Sequence, residues 1–220
     1  MDPNQVFIVI FQLVVLIFSI IIHEVSHGAM ALYLGDDTAK RLGRLTLNPL
    51  KHIDPFGSVI LPLILAIPLF FGGSSIIVGW AKPVPYNPNN LKNPRTGAGL
   101  IGAAGPLANV LIAVIFAVLL HVPVTFGFDG GLSLAFSLII LLNLLLAIFN
   151  LVPIPPLDGS KVLFALLPES FRSWERVLEI YGIWLLLLLI FFAFPIIRLI
   201  VLILFNLLLF LVGIRLDLPI

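Results

Sequence analysis

The chain has 220 residues, of which 60% are apolar and 10% charged, and its formal net charge is +1. Soluble domains carry about 25% charged residues, so this composition excludes an ordinary soluble enzyme, and the small net charge argues against a nucleic-acid-binding role. The mean hydropathy of +1.19 and the lack of cysteine predict a membrane protein without disulfides, in which His, Asp, Glu or Asn would hold any metal. We expect residues 1–220 to form a single domain.

The first predicted helix covers about residues 6–34 and contains a cluster of ionisable side chains. Residues 6–22 carry no charge and lead directly into His23-Glu24-Val25-Ser26-His27. A charged group near the bilayer centre costs about 3 kcal/mol on insertion scales. These side chains therefore need a compensating partner, for which a bound cation is the obvious candidate.

The spacing of this cluster is that of a zinc site. Residues four apart share one helix face, so His23 and His27 can direct their rings at one metal, while Glu24 lies about 100° round the helix. This is the His-Glu-x-x-His arrangement of zinc hydrolases, in which the glutamate is the general base. In a soluble helix so short a pattern also arises by chance, whereas the cost of placing charge in a membrane argues against idle residues here.

The segment that follows predicts a short membrane-associated β-sheet. Residues 38–49 alternate loosely between leucine and charged or polar side chains, which favours a strand. Residues 76–84 form a second candidate strand, which Pro83 and Pro85 confine to an edge. The apolar segment 56–71, broken by prolines, is expected to enter the membrane and return.

The edge strand has two compatible interpretations. By strand addition, the main chain of residues 79–84 would capture an unwound substrate, which makes Gly79, Trp80, Ala81 and Lys82 candidate substrate-binding residues. Alternatively, Trp80 and Lys82 anchor the chain at the membrane interface.

Later apolar segments predict the remaining helices. Strong spans cover about residues 97–120 and 132–150, and residues 177–214 are expected to form two helices joined by a tight turn near Phe194-Pro195. The predicted fold class is an α-helical polytopic membrane protein with five to six transmembrane or re-entrant helices and a short β-sheet.

A catalytic zinc site normally has three protein ligands and an open position, so one more ligand is expected. His52 and His121 are isolated at loop or helix ends and are expected to be interfacial residues. Asp158 lies in the Pro-rich segment 150–159, after an apolar helix. Directed back toward the first helix it would complete the site, although Asp-Gly after prolines is also common in a turn or helix cap.

Three motifs, in the expected order, resemble those of the site-2 proteases, zinc metalloproteases that cut substrates within the membrane. They are His-Glu-x-x-His at 23–27, Gly-Pro-x-x-Asn at 105–109 and Asn-x-x-Pro-x-x-x-Leu-Asp-Gly at 150–159. The resemblance implies one Zn²⁺ per chain, with His23, His27 and Asp158 as ligands. It implies Glu24 as the base, Asn150 as a contact to the substrate backbone or oxyanion, and Asn109 as a candidate substrate contact. Many members also carry a PDZ or CBS domain, and we expect this chain to belong to the small core-only branch that it resembles.

The orientation in the membrane follows from the number of membrane crossings and from the distribution of basic residues. His23, His27 and Asp158 must reach one metal, so an even number of crossings separates them and segment 56–71 should not cross. Ten of the twelve basic residues then share one side, namely Lys40, Arg41, Arg44, Lys51, Lys82, Lys92, Arg95, Lys161, Arg172 and Arg176. Because an excess of Lys and Arg marks the cytoplasmic side, we expect the N-terminus outside a prokaryotic cell membrane and the site open to the cytoplasm.

The leading function is an intramembrane zinc endopeptidase that cleaves the transmembrane segment of a membrane-protein substrate. Two other classes use the same residues. A metal-ion transporter or channel would need a path to both faces and more than one intramembrane polar cluster. A non-catalytic membrane chaperone is disfavoured because Glu24 is intact.

Overall fold

The fold is built from long apolar helices. The computed structural model describes residues 3–60, 64, 67, 81–126 and 130–214. Within these ranges the α-helices are α1 (Pro3–Tyr33), α2 (Thr38–Arg41), α3 (Pro94–Leu119), α4 (His121–Phe126), α5 (Gly130–Leu151), α6 (Asp158–Leu166), α7 (Arg172–Leu188) and α8 (Phe194–Leu211). Short 3₁₀ turns cover Pro49–Lys51, Pro88–Asn90 and Glu169–Phe171, and π-helical segments cover Pro55–Ile60 and Leu189–Ala193.

Four helical stretches of the described chain are long and apolar enough to span a membrane. They are Gln5–Tyr33, Pro94–Phe126, Gly130–Leu151 and Glu169–Leu211. The first three agree with the predicted helices at 6–34, 97–120 and 132–150. The protein is therefore a helical membrane protein, as its composition indicates.

Helices α1 and α5 run parallel to each other and antiparallel to α3. The pairs that define these directions are Ser19–Asn109, His27–Ile101, Asn109–Asn143 and Gly102–Asp158. Moving toward the C-terminus of α1 thus means moving toward the N-terminus of α3. The C-terminal half of α1, the N-terminal half of α3 and the C-terminal end of α5 consequently meet at one level, where the site forms.

The apolar core joins α3, α5 and α8, from the C-terminal half of α3 to the C-terminal end of α5. On α3 it uses the small side chains of Ala113 and Ala117, which let the neighbouring helices approach closely. On α8 it uses Ile197, Val201 and Phe205, which are spaced four residues apart and so share one face. This packing fixes α3 and α5 relative to each other.

A glycine turn at the end of α1 anchors the segment that leads into α3. Gly35 has a φ of +104°, which favours glycine. Asp36 is fully buried and accepts hydrogen bonds from Thr38, the Asn87 N–H and the Asn90 amide. Burial opposes the charged form of Asp36, but these hydrogen bonds outweigh the effect of burial and lower the pKa of Asp36. The stabilisation from this anchor is therefore complete above the usual carboxyl pKa and is lost as the pH falls through the lowered pKa.

The predicted β-sheet is wrong for the part of the chain that the structure describes. Residues 38–49 form α2 and turns instead of a strand, and polar side chains satisfy the local backbone, as when Asn48 accepts from the Leu50 N–H. Residues 81–84 have no regular secondary structure. Residues 76–80 lie outside the described residues, as does most of segment 56–71, whose re-entry stays a prediction.

The predicted turn at Phe194-Pro195 is also wrong. The chain remains helical from α7 through the π-helical segment into α8. Proline lacks an N–H and its ring clashes with the carbonyl four residues earlier, but it is tolerated in the first turn of a helix. Pro195 occupies that first turn in α8, and the wider π-helical segment directly before it accommodates the change.

Candidate metal centre

Three potential ligand atoms converge where α1, α3 and α6 meet. The Nε2 atoms of His23 and His27 lie 3.1 Å and 3.0 Å from Asp158 Oδ2. Zinc donor atoms at about 2.0–2.1 Å in a tetrahedral site are about 3.3 Å apart, so these separations differ from those of a zinc site by only a few tenths of an ångström. All three residues are buried.

Hydrogen bonds on the far side of each imidazole set its tautomer. His27 Nδ1 lies 2.6 Å from the carbonyl of Ile101, and His23 Nδ1 lies 2.6 Å from Asn109 Oδ1. Because both oxygens can only accept, Nδ1 carries the hydrogen in each ring and Nε2 presents a lone pair. Each Nε2 lone pair then faces Asp158 Oδ2 at about 3 Å, an arrangement that a cation between these atoms stabilises. This donor set fits zinc.

Gly105 makes room for this cluster on α3. A Cβ atom at this position would lie 2.6 Å from Nε2 of both His23 and His27. A side chain at this position would therefore press directly on both Nε2 atoms. The glycine of the 105–109 motif thus has a steric role next to the candidate metal centre.

Asp158 is held in place by its own helix. The residue begins α6, and Lys161 Nζ donates to its Oδ1 atom at 2.8 Å. This contact uses one carboxylate oxygen and leaves Oδ2, which faces the imidazoles, for a metal. The sequence left open whether Asp158 faces the first helix or lies at a turn or helix cap, and the structure shows both, because the residue starts α6 while its Oδ2 faces the imidazoles.

Glu24 lies beside His23 and His27 and contacts a distant segment. Its carboxylate and the ring nitrogens of His23 and His27 include atoms that all lie within 4.8 Å of one another. Its Oε2 atom accepts a hydrogen bond of 2.9 Å from the Val84 N–H. The carboxylate is therefore near enough to a metal for a water molecule to sit between them.

The segment around Val84 is tied down by further hydrogen bonds. Arg44 donates to the carbonyls of Lys82 and Pro83, and the Lys82 N–H donates to the His52 carbonyl. The N–H groups of Lys82 and Val84 are thus already used, so strand addition there requires exchange of these bonds. The substrate-binding role of Ala81 and Lys82 stays a prediction, and Gly79 and Trp80 lie outside the described residues.

The two candidate asparagines have different settings. Asn109 is fully buried and bonded to His23, so its geometry favours orienting a ligand over contacting a substrate. The Asn150 amide donates to the Leu146 carbonyl, one turn back on α5. His52 and His121 bond to the carbonyls of Thr46 and Val212, away from the metal centre.

Sequence reasoning missed several residues of this site. These are Ser19, Ile101, Asn143, Lys161 and Val84. Gly105 was recognised as part of the 105–109 motif, but its steric role was not predicted. For Asn143 a signal existed, because an asparagine amid apolar residues of a membrane helix needs a partner. The backbone groups of Ile101 and Val84 leave no trace in the sequence.

Comparison with known proteins decides the family. The chain is 40% identical over 178 residues to "Putative zinc metalloprotease YwhC" of Bacillus subtilis, covering 78% of this chain and 76% of that protein. The chain belongs to peptidase family M50. The model of this family matches residues 125–193, which include Asn150 and Asp158.

Other relatives carry the same description. "Putative zinc metalloprotease Rip2" of Mycolicibacterium smegmatis is 32% identical over 162 residues, which are 71% of this chain and 58% of that protein. "Zinc metalloprotease MJ0392" of Methanocaldococcus jannaschii is 41% identical over 81 residues, which are 36% of this chain and 23% of that protein. No solved structure matches the chain. The predicted resemblance is confirmed: the protein is a zinc metalloprotease of the site-2 protease type, and the transporter and chaperone alternatives are not favoured.

Proposed function

We propose that the protein cleaves membrane-spanning segments of other proteins, with His23, His27 and Asp158 holding one zinc ion and Glu24 acting as general base. The observation that carries this proposal is the convergence of three ligand atoms from α1 and α6. His27 lies six residues before the end of α1, about 9 Å along the helix. This depth favours a site inside the membrane but close to one face.

The chain's own residues account for the proton transfers. Zinc, when bound, lowers the pKa of a coordinated water to about 7 and polarises a carbonyl. With Oε2 held by the Val84 N–H, Glu24 accepts the proton of the attacking water on Oε1. As the water oxygen bonds to the carbonyl carbon and the C–N bond breaks, Glu24 passes the proton to the leaving nitrogen. Asn150 turns from Leu146 to hold the reacting substrate backbone.

Cleavage inside a membrane span is the direct test of this function. Purified protein in lipid vesicles, together with a single-span test protein, is expected to produce fragments that end within the span. Treatment with a zinc chelator should stop cleavage, and added zinc should restore it, because the ion supplies the Lewis acid. The fragment ends are read by mass spectrometry. Cleavage confined to the soluble loops, or unaffected by the chelator, would contradict the proposal.

We further propose that the N-terminus lies outside the cell and that the site opens to the cytoplasm. Ten of the twelve basic residues are assigned to the site's side, and such an excess marks the cytoplasmic face. The antiparallel course of α1 and α3 supports this assignment. The hydrogen bond from Lys82 to His52 supports it as well, because the ends of segment 53–81 meet on one side.

Cysteine labelling tests the orientation. The exposed residue Lys92 precedes α3 on the site's side, whereas the exposed residue Val124 lies beyond its other end. We expect a cysteine at Lys92 to react with a membrane-impermeant reagent only after the cytoplasmic side is opened. A cysteine at Val124 should react from outside in intact cells. The chain has no native cysteine to interfere, and the reverse pattern would refute the orientation.

A further inference from the structure

A chain of buried polar side chains runs from the metal centre across three helices. We propose that Ser19 and Asn143 are positioning residues that hold the Asn109 amide in the one orientation that fixes the His23 ring for zinc. The inference rests on the proposed role of His23 as a ligand. It assigns a function to two residues that belong to none of the three sequence motifs.

The hydrogen bonds determine the direction of each amide. Asn109 Oδ1 lies 2.6 Å from His23 Nδ1, while Asn109 Nδ2 donates to Asn143 Oδ1 at 2.9 Å and to the Ser19 carbonyl at 3.3 Å. Asn143 Nδ2 in turn donates to Ser19 Oγ at 3.0 Å and to the Ile139 carbonyl at 2.9 Å. Each NH₂ group faces only acceptors among these contacts, so neither amide can be reversed without placing donors against donors or acceptors against acceptors.

The orientation of the Asn109 amide matters because it selects the tautomer of His23. With Oδ1 toward the ring, the imidazole hydrogen stays on Nδ1 and the Nε2 lone pair is available to a metal. A reversed amide would direct an N–H at Nδ1 and move the ring hydrogen to Nε2. That hydrogen would block the ligand atom, so a group that fixes Asn109 controls zinc affinity.

The setting of these residues argues that they are more than packing. Ser19 is 4% exposed, and Asn109 and Asn143 are fully buried. Asn143 lies in a helix that is otherwise almost entirely apolar, where leucine would pack without needing any partner. A polar group without water must find its partners within the protein, and here those partners lead to a zinc ligand.

Two replacements of Asn143 separate positioning from packing. Asn143→Leu removes the acceptor for the Asn109 amide, and we expect zinc affinity to fall about 10-fold, the lower end of the range for groups outside the ligand shell. Asn143→Asp should retain near-normal affinity, because a buried neutral carboxyl keeps the acceptor for the Asn109 amide and one of the two donors of the Asn143 amide. A packing role predicts the reverse order, since leucine suits an apolar helix better than a carboxyl. Zinc dissociation constants are measured by competition with a chelator.

Asn206→Leu is the matched control. Asn206 also donates to the carbonyl four residues back in an apolar helix, but it is exposed. Its replacement should leave zinc affinity unchanged. If Asn143→Leu does not accumulate in the membrane, Ser19→Ala tests the next hydrogen bond in the same series. We expect a smaller fall in zinc affinity for Ser19→Ala, and near-normal affinity for Ser19→Thr, which keeps the hydroxyl group.

A double-mutant cycle tests whether Asn143 acts through Asn109. Asn109→Ala should weaken zinc binding about 10- to 100-fold, and adding Asn143→Leu should weaken it no further. Losses that multiply, or unchanged affinity in Asn143→Leu, would overturn the inference. His23→Ala distinguishes failure of the proposed ligand set from failure of the positioning role. If His23→Ala retains zinc, the ligand set is wrong. If His23→Ala loses zinc while Asn143→Leu binds it normally, only the positioning role is wrong.

Discussion

Glu24→Gln is expected to retain zinc but to lower the rate of peptide cleavage by about 100-fold or more. The amide keeps the size of the side chain but cannot accept the proton of the attacking water. Zinc is retained because the expected ligands are His23, His27 and Asp158, so metal content should remain near one ion per chain. Metal analysis and the vesicle cleavage assay on the same preparation measure both quantities.

Glu179→Gln provides the control for this experiment. Glu179 is exposed on α7, and the same chemical change there should alter neither quantity. Cleavage by Glu24→Gln at the wild-type rate would remove Glu24 from the mechanism. Loss of zinc from this variant would instead indicate that Glu24 is a ligand.

Asp158→Ala and His27→Ala are expected to lose most of the bound zinc, and all cleavage with it. Replacing groups that only orient ligands lowers metal affinity about 10- to 100-fold, so removing a ligand should weaken binding by more than 100-fold. Asp158→Ala also leaves Lys161 without its carboxylate partner, which adds positive charge beside the ion. Zinc content after dialysis and chelator competition give the measurement.

An exposed carboxylate serves as the comparison. Asp37 pairs with Arg41 one turn away on the surface, and Asp37→Ala should keep full zinc occupancy. Full zinc retention in Asp158→Ala would show that another group completes the site.

The sequence allowed the three side chains that converge at the candidate metal centre to be predicted, because their signals are local. His23 and His27 are related by helix periodicity, and Asp158 falls in a motif with fixed spacing. The long helices were equally predictable, since uninterrupted apolar segments of this length have few alternatives in a membrane.

The errors arose where local patterns have two physical solutions. Alternating leucines in residues 38–49 suggested a strand, but Leu42 and Leu47 are exposed and only Leu45 packs close to α1. Pro195 suggested a turn, but the π-helical segment directly before it accommodates the proline within a continuous helix. The hydrogen bond between Asn143 and Ser19 joins residues that are 124 positions apart, a contact that no local pattern encodes.

The unbroken helix of α7 and α8 has a consequence for the surrounding lipid. Residues Glu169–Leu211 form 43 residues of helix, about 65 Å long, whereas the hydrocarbon layer is about 30 Å thick and helices tilt by at most about 40°. At that tilt the helix still covers about 50 Å of depth. His121, just after α3, bonds to the Val212 carbonyl, so the surplus length extends on the side of the metal centre. The surplus length includes the charged residues Arg172, Glu175, Arg176 and Glu179 and the exposed Trp174. Such side chains favour the headgroup layer and water over the hydrocarbon, so the first turns of α7 should lie in the membrane interface beside the metal centre.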